Sequence, residues 1–491
     1  MAARISLVMP FLRWLPLSLI VLAALWLRTH DLDRRPMHAD EANQAVKLGE
    51  LIDAGRYRFD PRDHHGPTLY YAARPLAWVR GERSLAALSE TTVRLVPAIF
   101  GTVTVILIAF LSRPLGRWPA LAAAALVALS PPAVYYSRYF IQETLLVTFT
   151  LSTFLAVRAW WRSGLTRWAV LAGLFAGLMQ ATKATAPLFL GAALVATIAF
   201  RGERPATRRA RRDAAYALAA AFATAALLYS SFGTNPSGLR DAFTAYAHAA
   251  TRFGADAEPT GHEKVWWYYL GLFGWQKTGG LVWHQIAFAT LAAAGLVVAF
   301  VRQEKFLRWA AIYAALIAAA FSLFAYKTPW QVVHFVPGFA ILGAASLAAL
   351  SRLNTGRLAA AAFALITLAT LFQQTWRSSF LRPADQRNPY AYVHSSADVL
   401  KYRPVAEAAL ARHPEQSIRV ISEEYWPLPW YLRGLPRVGY WTEPPAPCDG
   451  ALIIASSTQA DAVRARLRGN YRESFLGLRP GVISILFTLE P

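Results

Sequence analysis

The chain has 491 residues, 55% of them hydrophobic, and a formal charge of +21 from 50 basic against 29 acidic side chains. A soluble protein of this length would have two or three domains with shorter apolar runs. The arginines sit mostly in short loops between long apolar blocks, which argues against a nucleic-acid binder. A single cysteine, Cys448, excludes an intrachain disulfide and a cysteine metal cage.

Arg4 and Arg13 precede the first apolar run, Leu15 to Leu27. This is the charge order of a signal peptide, but RTHDLDRRP follows in place of a small-residue cleavage site, so we read a retained first span. Further apolar blocks fall near 93–112, 118–136, 140–157, 168–182, 184–200, 214–232, 283–301, 308–325, 331–350 and 357–373. With the first, at 14–28, they predict an α-helical polytopic membrane protein of about 11 transmembrane helices. The loops 113–117, 158–167, 201–212, 302–308 and 351–357 are short and carry arginine, which marks them as cytoplasmic. A cytoplasmic N-terminus then puts loops 29–92 and 233–282, and the C-terminal tail, on the extracytoplasmic face. Residues 1–373 form the expected membrane domain. In 374–491 short β-like runs (SIRVIS, GALIIAS, GVISILF) alternate with helical stretches, predicting a small extracytoplasmic α/β domain.

The outer loops hold the chemistry. Asp40 and Glu41 open an amphipathic helix after the first span. Acidic residues suit a helix start, and the same pair could supply a general base. His64 and His65 precede a Gly-Pro turn, where the candidate roles are metal ligand, phosphate contact or helix cap. Arg138 lies between two spans, and Glu143 enters the apolar run five residues later, where an ionisable side chain needs a partner or water. Lys183 and Lys327 sit at two further outer turns, with His334 deeper in. One such lysine is ordinary snorkelling. Cations at three outer turns with nearby carboxylates suit an anionic lipid-linked substrate.

The segments DEANQA, HHGPTLYY, YSRYFIQETLLVTF, YKTPW, NPYAYVH, EYWPLPWYL and LRPGV resemble the prokaryotic flippase-activity-associated family. That family is related to an archaeal protein of N-glycosylation and to the GT-C glycosyltransferases, among them protein O-mannosyltransferases and lipid A aminoarabinose transferases. The resemblance implies a GT-C-like fold and a polyprenyl-phosphate sugar donor bound from within the plasma (inner) membrane. It implies a lipid, glycan or protein acceptor, and no nucleic acid. By it Asp40 matches the superfamily's catalytic base with Glu41 beside it, and Arg138, Lys183 and Lys327 match donor-phosphate positions. His334 stands where relatives often carry tyrosine. Relatives differ in metal use, which leaves open a divalent ion at Asp40, Glu41 and His65. The expected reaction is inverting transfer, and the rival is a flippase or transport-associated protein for lipid-linked saccharides without transferase activity.

Overall fold

A computed structural model describes residues 2–61, 65–199, 208–253 and 261–490. Two compact units emerge. One comprises Met1–His30, Arg56–Ala72 and Arg94–Pro383, and the other Asp31–Gly55, Ala73–Val93 and Ala384–Pro491.

The first unit is built from helices, the element that satisfies every backbone group within an apolar segment. Among the described residues five helices are long and apolar enough to cross a membrane: Glu90–Leu111, Glu143–Ser163, Lys305–Leu323, Pro329–Leu350 and Gly356–Leu381. Shorter apolar helices include Trp14–Thr29, Arg117–Leu129, Ala186–Ala199 and Ile286–Val301. Apolar side chains also face outward, with Leu358 84% and Leu365 70% exposed on one helix. Water would disfavour such a row and hydrocarbon would accept it. Small residues let the helices approach closely. A methyl group on Gly295 would run into the backbone carbonyl of Leu342.

One expected span is divided. The block 118–136 forms a helix only from Arg117 to Leu129, and a second short helix runs from Pro131 to Tyr136. Ser130, between them, is extended (ψ 124°) because a following proline disfavours helical backbone at the preceding residue. A small antiparallel ribbon, β1 (Trp275–Thr278) with β2 (Leu281–His284), completes the described regular structure of the long 233–282 loop, beside the helices Ser237–Phe253 and Tyr268–Phe273.

The second unit holds a five-stranded mixed sheet of β3 (Ile418–Ile421), β4 (Val438–Trp441), β5 (Leu452–Ser456), β6 (Tyr471–Arg479) and β7 (Val482–Leu489), in the order β4-β3-β5-β7-β6. SIRVIS, GALIIAS and GVISILF supply β3, β5 and β7. β3 runs parallel to β4 and β5, whereas β7 is antiparallel to β5 and β6. Leu452 to Ala455 are all buried, the continuous apolar pattern of an inner strand, and Ile453, Val463 and Phe487 join Cys448 in the core. Polar contacts tie the unit's N-terminal pieces to this segment. The Met37 amide donates to the Tyr431 hydroxyl at 2.8 Å, Trp430 Nε1 donates to Glu90 at 2.7 Å, and Arg433 Nη2 donates to the Leu88 carbonyl at 2.7 Å.

Candidate active site

The acidic pair opens the helix Ala39–Ala54, and its two members have opposite environments. His38 caps the helix: its Nδ1 accepts the Asp40 amide at 3.0 Å. The Glu41 carboxylate reaches back to accept the His38 amide at 3.1 Å, a reciprocal capping arrangement. Both Glu41 oxygens also accept from Arg35 Nη2 at 2.9 Å, and both side chains are buried. Glu41 is thereby occupied as an internal ion-pair partner. Asp40 is exposed, and among the described residues its carboxylate makes no hydrogen bond or ion pair. The capped first turn fixes its backbone while the oxygens remain accessible.

His38 is further anchored by its Nε2, which lies 3.0 Å from the Tyr392 carbonyl. Since Nδ1 accepts, Nε2 carries the proton and donates. His394 packs edge-on against His38 at 5.7 Å between ring centroids, and burial with Arg35 and His38 nearby holds its pKa well below the ordinary imidazole value.

In the helical unit, Glu143 and Lys183 are both buried and form an ion pair. His334 is buried against the rings of Phe189 and Phe321, the latter parallel to it at 5.7 Å, and its Nε2 has no hydrogen-bond partner among the described residues. The turn bearing Lys183 is docked by the Gly-Pro loop. The Gly66 amide donates to the Thr182 carbonyl and the Thr68 amide to the Ala181 carbonyl, each at 3.1 Å. Gly66 permits this approach, because a Cβ there would collide with the Ala181 carbonyl. His65, exposed, immediately precedes this contact, and His64 lies outside the described residues.

Arg138 is buried, stacked on Phe380 at 4.5 Å, and donates Nη1 to the carbonyls of Leu27 (3.1 Å) and His30 (2.6 Å) at the end of the first apolar helix. Lys327 is buried and donates to the carbonyls of Lys264 (3.3 Å) and Phe324, and burial pushes its pKa down. The YKTPW segment is also backbone-paired to the loop before it, Lys327 amide to His262 carbonyl at 3.0 Å.

Sequence reasoning missed Arg35, His38 and His394. His38-x-x-Glu41 has the spacing of a capping box, but histidine is an unusual cap, and no local signal joins residue 394 to residue 38. It also passed over Arg28, counted within the first span, which is fully buried and donates to the carbonyls of Ala24, Val127 and Ala128. Both Glu41 oxygens accept from Arg35, a partner that a divalent ion at Asp40, Glu41 and His65 would have to share. Among the described residues no group of three or more His, Cys, Asp or Glu could hold a metal ion.

Residues 75–231 match the family described as dolichyl-phosphate-mannose-protein mannosyltransferase. ArnT from Cupriavidus metallidurans superposes with a TM-score of 0.65 at 16% identity, over 96% of this chain and 97% of that one, both in the apo state and bound to undecaprenyl phosphate. The oligosaccharyltransferase AglB from Archaeoglobus fulgidus, in complex with an inhibitory peptide and a dolichol-phosphate, matches with a TM-score of 0.57 at 13% identity, over 95% of this chain and 73% of that one. The fold is that of the GT-C glycosyltransferases. No curated protein matches the sequence significantly. The GT-C likeness expected from DEANQA, HHGPTLYY and YKTPW therefore holds for the fold along nearly the whole chain, with the mannosyltransferase family match covering its first half in part.

Proposed function

We propose that this GT-C protein transfers a sugar from a polyprenyl-phosphate carrier to an acceptor hydroxyl or amine at the extracytoplasmic face of the plasma membrane. One observation carries the reading: of two adjacent carboxylates, Glu41 is buried in an ion pair, whereas Asp40 is exposed on a capped helix turn and has no partner among the described residues. A general base needs that accessibility. Asp40 takes the acceptor proton as the acceptor atom attacks the anomeric carbon. The bond from that carbon to the phosphate oxygen breaks, and lipid phosphate leaves with the electron pair. The configuration inverts.

Arg138, Lys183 and Lys327 hold the phosphate in this scheme. Lys183 uses one of its three N–H donors on Glu143, which leaves two for an oxyanion. The chemistry of the donor is supported by relatives of the same fold, one bound to undecaprenyl phosphate and another to a dolichol-phosphate. The proposal includes 11 spans within residues 1–373, a cytoplasmic N-terminus, and an outer α/β domain over 374–491. Incubating the purified protein in vesicles with a labelled polyprenyl-phosphate sugar and membrane-extract acceptors tests it. Label moving to acceptor with release of lipid phosphate is the expected result. Label crossing the bilayer still attached to lipid would establish the flippase reading in its place.

A further inference from the structure

Within the helical unit, the helices Ile286–Val301 and Val336–Leu350 end where Lys305–Leu323 begins. A cavity of about 300 Å³ lies there, with Val298, Leu307 and Ala345 among its apolar walls and Arg302, Glu304 and Arg352 as its charged groups. Arg302 leans across toward the last turn of Val336–Leu350, its Nη2 3.5 Å from the Ala349 carbonyl. Among the described residues the side chains of Glu304 and Arg352 make no hydrogen bond or ion pair. Three charged groups thus line a hollow of mixed polar and apolar surface without pairing with one another. Next to it Val297 and Val301 are 63% and 74% exposed on the outer face of the same helix.

Guanidinium groups lining a hollow beside apolar side chains, at the ends of apolar helices, are the chemistry that captures a lipid headgroup. The planar fork of arginine matches two oxygens of a phosphodiester. Two arginines and one glutamate leave the lining with a single net positive charge, which complements one phosphodiester. Glu304 adds an acceptor for a headgroup hydroxyl, and the exposed valines offer a track for the acyl chains. We propose that this cavity is a binding site for an anionic phospholipid with a hydroxylated headgroup, of the phosphatidylglycerol class. The helix Lys305–Leu323 has 19 residues, about 28 Å at 1.5 Å per residue, and separates the cavity from the turn bearing Lys327. The cavity is therefore apart from the Lys327 turn, and the proposal does not rest on the transfer chemistry.

Native mass spectrometry of the full-length protein in detergent, titrated with phosphatidylglycerol, phosphatidylcholine or inorganic phosphate, tests the assignment. The wild type should retain phosphatidylglycerol in preference to phosphatidylcholine. Arg302→Gln and Arg352→Gln should each weaken that retention about fivefold, and the double variant about twentyfold. Arg302 and Arg352 are both exposed, so the variants should keep the elution volume and thermal midpoint of the lipid-free wild type. Equal retention of the two lipids, or an unchanged affinity in the double variant, overturns the proposal. Displacement of the lipid by millimolar inorganic phosphate overturns the lipid assignment in favour of a free-phosphate site.

Discussion

Asp40 and Glu41 are neighbours in sequence and opposites in environment, and the difference predicts opposite phenotypes. Glu41 is wholly buried against Arg35, so Glu41→Ala takes a buried carboxylate away from a buried guanidinium. Breaking a buried pair on one side costs about 3–5 kcal/mol. The expected result is a clear drop in thermal midpoint, measured by differential scanning fluorimetry in detergent. The paired replacement Arg35→Met with Glu41→Leu should recover much of it, because both charges of the pair are removed together. Asp40→Asn, at an exposed position, should leave the thermal midpoint within the range of ordinary surface substitutions, about ±0.5 kcal/mol.

At the scale of elements, the apolar blocks announce helices because hydrocarbon length and composition are read directly from sequence. Their interruptions are only partly announced. Pro131 and Pro132 were visible in the middle of the block 118–136, and their effect on Ser130 follows from the pre-proline restriction. The close pairing of Ile286–Val301 with Val336–Leu350 was not visible, since Gly295 reads as one small residue among many until a carbonyl is seen against it. Gly295→Ala should force these helices apart and cost about 1–3 kcal/mol, the usual range for overpacking. Unfolding of the solubilised protein would show it as a lower midpoint. The cations show the same division. The placement of Arg138, Lys183 and Lys327 in turns between apolar blocks was legible from the block pattern, but their partners (Leu27 and His30 carbonyls, Glu143, and the Lys264 and Phe324 carbonyls) depend on tertiary packing.

At the scale of the whole molecule, one unit assembles from three separated stretches of sequence, Asp31–Gly55, Ala73–Val93 and Ala384–Pro491. His38 to Tyr392, His38 to His394 and Met37 to Tyr431 are among the contacts that join them. His394 is buried, and its surroundings hold it neutral. Its pKa lies well below the ordinary value of 6.5, with burial the largest cause and Arg35 next. Lowered basicity in the fold means that the unfolded chain binds more protons once the pH falls below about 6.5. The contribution of His394 is therefore complete above that value and declines as the pH drops beneath it. His394→Gln, which cannot titrate, should flatten the fall in thermal midpoint between pH 6.5 and pH 5. An unchanged slope would assign that loss to other groups.

Asp40 is the residue on which the account turns. The most direct measurement is sugar transfer from a labelled polyprenyl-phosphate donor by Asp40→Asn, with donor binding followed in the same preparation. Donor binding should equal that of the wild type and transfer should fall by a factor of about 10²–10⁴, the usual contribution of a positioned general base. Transfer by Asp40→Asn at the wild-type rate would contradict it.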